Sequence, residues 1–79
     1  PMFYKILLDG VNNLKISNNV EETVKYITAN LEKNNFLVNY VSFLTSELEK
    51  LKLDTPQRKI LLSSVKLGQT RLIDNIEFI

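Results

Sequence analysis

The sequence predicts an α+β domain: two N-terminal helices followed by a three-stranded, mainly antiparallel sheet that ends in a β-hairpin. Three observations carry this reading. Apolar residues recur at helical spacing twice in the first part of the chain, apolar runs of strand length fill most of the remainder, and the last two runs are separated only by Gly68 and Gln69. Helical periods followed by strand-length runs, with antiparallel pairing at least at the end, make an α+β domain.

The first element spans 3–14, FYKILLDGVNNL, with Phe3, Ile6, Leu7, Val11 and Leu14 close to a 3.6-residue period. This spacing predicts a helix weakened at Gly10, since glycine is a poor helix former. Asn19 followed by Glu22 predicts a capping-box start, in which each side chain satisfies the other's free backbone N–H. Val20, Val24, Ile27 and Leu31 then form one stripe, with Glu21, Lys25, Glu32 and Lys33 off it, and the second helix is expected to end near Asn34 and Asn35.

The run 36–44, FLVNYVSFL, is aromatic and β-branched and predicts a strand. Strict alternation places Phe36, Val38 and Tyr40 on one face and Leu37, Val41 and Phe43 on the other, so both faces are expected to be partly covered. Residues 46–57, SELEKLKLDTPQ, predict a short helical turn on the surface, punctuated by Asp54, Thr55 and Pro56. The second strand is expected over 59–67 and the third over 70–78. Gly68 as the first of two loop residues predicts a type II′ turn.

That turn sets a register. Leu67 opposes Thr70, Val65 opposes Leu72, Ser63 opposes Asp74 and Leu61 opposes Ile76 on the more apolar face. Asp74 is thus expected to be a structural carboxylate with Ser63 as its donor. The other face carries Ile60, Leu62, Ser64, Lys66, Arg71, Ile73, Asn75 and Glu77, a mixed surface. Lys66 directly opposes Arg71, and opposed like charges are destabilising, so either both point into water or an anion sits between them. That anion would be a ligand phosphate or an acidic patch of another domain.

Composition excludes several kinds of chemistry. With no cysteine and no histidine, Ser-His-Asp and Cys-His sites, disulfides and thiolate or imidazole metal sites cannot be built. Two glycines cannot form a glycine-rich phosphate loop. No residue is nominated as catalytic, substrate-binding or metal-binding. A net charge of +1 with signs mixed along the chain argues against nucleic acid. The cluster Lys50, Lys52, Arg58 and Lys59 is interleaved with Glu47, Glu49 and Asp54 and reads as a solvated face. No apolar run spans a membrane and no signal peptide is evident, so a cytoplasmic location is expected. Pro1 precedes Met2, and a piece of a longer protein is expected. At 79 residues the chain is one small domain of modest stability.

The run VKLGQTRLIDNIEF resembles the C-terminal signature of pantothenate synthetases. Ser64 stands where a small alanine is usual, Val65 to Gly68 follow the pattern, Gln69 replaces a common lysine, and Thr70 to Asn75 match without a gap. Upstream, NNFLVNYVSF is similar to the family's Gly-Phe, Val-Asp-Tyr-Val strand, with Asn35 for the glycine and Asn39 for the aspartate. The resemblance implies an enzyme that joins pantoate to β-alanine through a pantoyl adenylate, using ATP with Mg. In that family the nucleotide and pantoate are held by an N-terminal Rossmann-like domain with a His-x-Gly-His signature, which a chain without histidine lacks. The resemblance therefore implies that residues 1–79 are the C-terminal lid domain of a homodimeric parent, inactive alone, without its own cofactor, and partnered by its own N-terminal domain. The alternative is a free-standing α+β interaction module without catalysis.

Overall fold

In the computed structural model, which describes residues 2–45 and 58–79, the elements run α1 (Met2–Ser17), α2 (Val20–Lys33), β1 (Leu37–Thr45), β2 (Lys59–Leu67) and β3 (Thr70–Phe78). The sheet is antiparallel with the order β1-β2-β3. The turn expected over 46–57 lies outside the described residues.

All five apolar positions read from the α1 period are buried, and the helix runs three residues beyond Leu14. Gly10 does not interrupt it. It is buried against Ile27, where a Cβ would overlap that side chain, so glycine here lets two helices approach closely.

Helix α2 starts as expected at Asn19, whose side chain accepts from the Glu22 N–H at 3.0 Å. The capping box is only half made, because the Asn19 N–H donates instead to Ser17 Oγ at 3.2 Å. The buried stripe is also centred differently. Thr23 is fully buried beside Ile27 and Leu31, whereas Val20 and Val24 are only partly covered. Thr23 is tolerated there because its hydroxyl donates to Asn13 Oδ1 at 3.1 Å and lies 3.2 Å from Ser17 Oγ, which satisfies a polar group taken out of water.

The helix ends in a Schellman motif. Asn35 adopts φ 70°, its N–H reaches Glu32 O at 3.0 Å, and the Phe36 N–H reaches Leu31 O at 3.1 Å. Phe36 and Leu31 are both buried, which supplies the apolar contact that accompanies this cap. Phe36 thus closes the helix rather than opening the strand, and its ring lies 5.7 Å from that of Phe3.

Strand β1 departs from strict alternation. Val38 pairs with Val65 and Tyr40 with Ser64, so Asn39 is an extra residue, a β-bulge. The bulge shifts the phase: Val38, Val41 and Phe43 line the helix-covered face, while Leu37 and Tyr40 turn to the other side and are exposed. The expected assignment of Leu37 and Val38 is therefore reversed, because a single inserted residue moves everything before it to the opposite face.

The hairpin is as expected. Gly68 has φ 60° and Gln69 is not in the positive-φ region, the pattern of a type II′ turn, and every pair from Leu67–Thr70 to Leu61–Ile76 is in the anticipated register. Helix α2 lies over β1 and α1 over β3, with Leu61 and Val65 fully buried between helices and sheet. Phe43 and Phe78 meet edge-to-face across β2 at 6.0 Å. No helix among the described residues is long and apolar enough to cross a membrane.

Candidate functional site

Neither helix lies on the second sheet face. Read across the strands from the hairpin end, its rungs are Leu37–Lys66–Arg71, Tyr40–Ser64–Ile73, Ser42–Leu62–Asn75 and Leu44–Ile60–Glu77. Alternation in β2 and β3 forces these side chains to one side once Leu61, Val65 and Ile76 are committed to the core. The surface mixes exposed apolar side chains, Leu37, Tyr40 and Ile73, with charges at its two ends. Both cations, Lys66 and Arg71, stand at the hairpin end, and Glu77 at the far end is paired with Arg58 at 2.8 Å.

Asp74 is where the register placed it, opposite Ser63 and half-buried on the helix side. The expected bond between them is not made. Ser63 is fully buried and donates to the Tyr40 carbonyl at 2.9 Å, while Asp74 Oδ1 accepts from the Asn75 N–H at 2.8 Å. Backbone bonds alternate along an antiparallel ladder, and the Leu67–Thr70 pair closes the two-residue loop. Asn75 therefore falls on a non-bonded rung, and its N–H points away from β2 towards the free edge of the sheet. Asp74 satisfies that edge donor, a structural role of the kind expected but with a different partner. Occupying an edge N–H also makes β3 a poorer template for another strand.

The bulge explains why Ser63 is drawn away. Asn39 breaks the ladder beside Tyr40, and the Ser63 hydroxyl reaches across to the Tyr40 carbonyl from the core side. On the other side Ser64 Oγ donates to Asn39 Oδ1 at 3.3 Å. Sequence reasoning missed both contacts. The available signal was an asparagine, a poor strand former, inside a run rich in aromatic and β-branched residues.

A second concave region lies at the opposite end of the domain, lined by Leu14, Lys15, Asn18, Lys59, Phe78 and Ile79, where the last turn of α1 meets the start of β2 and the end of β3. Arg58 and Lys59 border it, whereas Lys50 and Lys52 of the basic cluster lie outside the described residues. Among the described residues no three acidic side chains converge on a point that would hold a metal ion. The two glycines are committed to a helix contact and a hairpin turn, so no backbone cradle for a nucleotide is built from them. Among the described residues, then, there is no acidic cluster or glycine-built cradle of the kind that holds a metal-bound nucleotide.

Comparison with known proteins gives one family. A family model described as Pantoate-beta-alanine ligase matches residues 1–77. No curated protein matches the chain.

Proposed function

The chain belongs to the pantoate-beta-alanine ligase family, and from that premise we propose that it is the C-terminal lid domain of a two-domain, ATP-dependent pantothenate synthetase. The observation that carries this reading is the family match over nearly the whole chain. The second sheet face, which neither helix covers, supports it. In the proposed reaction the pantoate carboxylate attacks the α-phosphorus of ATP and releases pyrophosphate. The β-alanine amine then attacks the resulting acyl carbon and expels AMP, leaving an amide. No step is assigned to a side chain of this domain.

A lid has a physical purpose in such chemistry. An acyl adenylate is a mixed anhydride that water hydrolyses, so a domain closing over it excludes water and strengthens the polar contacts that hold it. Closure of a small domain on a larger one needs a docking face that is stable when solvated and when covered. The second sheet face has that character: Tyr40, Leu37 and Ile73 offer apolar area, and Lys66, Arg71 and Asn75 keep it compatible with water. In this reading ATP and Mg are bound by the N-terminal Rossmann-like domain, the parent is a cytoplasmic homodimer, and the lid alone is inactive.

The test is an assay of AMP release from ATP, pantoate and β-alanine, run on the 79-residue chain and on the same chain extended upstream to include the N-terminal domain. No product is expected from the first and turnover from the second. Activity in the short chain alone would overturn the assignment. The docking face is tested separately, by liganded structures of the extended enzyme: residues 60–79 remote from the cleft in every state would remove it.

A further inference from the structure

The rung nearest the hairpin tip on the second face sets Lys66 beside Arg71. Leu67 and Thr70 close the two-residue loop with backbone bonds, so the next pair, Lys66 and Arg71, is a non-bonded one, in which Cβ atoms stand about 5 Å apart and side chains are closest. Two cations are therefore held together by the register, not by chance rotamers. Opposed like charges in this position are destabilising unless something neutralises them.

Nothing described in the domain does so. Neither side chain makes a hydrogen bond or ion pair among the described residues. Leu37 completes the rung, and β1 contributes Tyr40, Ser42 and Leu44 to this face, none of them acidic. Asp74 projects to the helix side. Glu77, the one acid on this face among the described residues, lies six residues along the strand from Arg71, a separation of about 20 Å, and is held by Arg58. That distance exceeds the screening length of about 8 Å at physiological ionic strength.

We propose that Lys66 and Arg71 together bind one phosphate-class anion carrying at least two negative charges. The charge count chooses this class: a dianion neutralises both cations at once, whereas a single carboxylate leaves one uncompensated. The geometry suits it as well, with a guanidinium fork for two oxygens and an ammonium as a compact second charge. The anion site stands on the hairpin register alone. Its source, a nucleotide polyphosphate or free pyrophosphate closed under the lid, rests on the function proposed above.

The experiment titrates the chain with sodium pyrophosphate and, separately, with ATP at constant ionic strength, following backbone amide NMR signals. Saturable changes centred on Lys66 and Arg71 are expected, with affinity falling about tenfold or more in Lys66→Gln or Arg71→Gln and no saturation in the double variant. Removing two repelling charges leaves the hairpin folded, which unchanged amide dispersion verifies. Pyrophosphate binding that exceeds ATP binding assigns free diphosphate as the source, and the reverse assigns the nucleotide. Absence of saturation, changes spread over the whole surface, or equal affinity in the double variant would overturn the proposal. Absent binding combined with normal turnover in the extended enzyme removes the anion site and leaves the lid standing. Binding without turnover does the reverse.

Discussion

Gly10 of α1 faces Ile27 of α2 with no space between them: a Cβ at residue 10 would overlap both Cγ1 and Cδ1 of a side chain that is itself fully buried. Helix propensity alone favours alanine over glycine at such a position by about 1 kcal/mol, but overpacking a closed core costs about 1 to 3 kcal/mol. Because the overlap involves two atoms of Ile27 and that side chain is fully buried, the second effect is expected to win. Gly10→Ala should lower the unfolding free energy by about 1 kcal/mol in urea melts. The same change in an Ile27→Val background should cost less, and a double-mutant cycle without coupling would contradict the contact.

Asn35 holds φ 70° at the C-terminal cap of α2, a region that penalises any residue with a Cβ. Asparagine tolerates it better than most, and glycine tolerates it without strain. Asn35→Gly is therefore expected to be neutral or stabilising by about 0.5 kcal/mol, and Asn35→Val destabilising by about 1 to 2 kcal/mol. Thermal midpoints followed by circular dichroism would check the order.

Ser63 and Asp74 oppose each other without bonding, and their substitutions should separate. Ser63→Ala removes the donor to the Tyr40 carbonyl inside the core and is expected to cost about 1 to 2 kcal/mol. Asp74→Ala removes an acceptor for an edge N–H that water can replace, so its cost should stay below about 0.5 kcal/mol. Equal costs in denaturant melts, or a double-mutant coupling between them, would restore the direct pair that the sequence suggested.

The Tyr26 hydroxyl donates to Asp9 Oδ2 at 2.6 Å, tying α2 to α1 at the surface. That hydrogen bond first, and the Asp9 charge second, hold the phenolic proton and raise its pKa above the ordinary value, about 10. A pKa raised in the folded state means the stabilising contribution is complete below about pH 10 and is lost as pH rises through the folded value. Asp9→Asn removes the charge, so the Tyr26 titration should move down towards its ordinary value. The Tyr26 ¹³Cζ shift followed against pH reads this directly, and an unchanged midpoint would dispose of the interhelix link.

Much of this protein is determined by spacing alone. The buried stripe of α1, the start of α2 at Asn19, the order of the elements, and each pair from Leu67–Thr70 to Leu61–Ile76 follow from local physics: a helical period, a side chain within reach of its own backbone, and a turn that admits one register. Opposition of Lys66 and Arg71 belongs to the same class, because a two-residue loop leaves it no freedom.

Only the tertiary structure decided what lies beside each of these residues. Thr23 displaces valine from the centre of the α2 stripe because Asn13 and Ser17 of α1 stand ready to satisfy its hydroxyl. Gly10, a weak point by propensity, becomes the closest approach of two helices. The bulge at Asn39 turns Val38 inward and Leu37 outward, and so places Leu37 next to Lys66. Periodicity reports which way a residue would point if its strand were regular. Whether the strand is regular, and who faces it, depends on residues far away in the chain, which spacing does not encode.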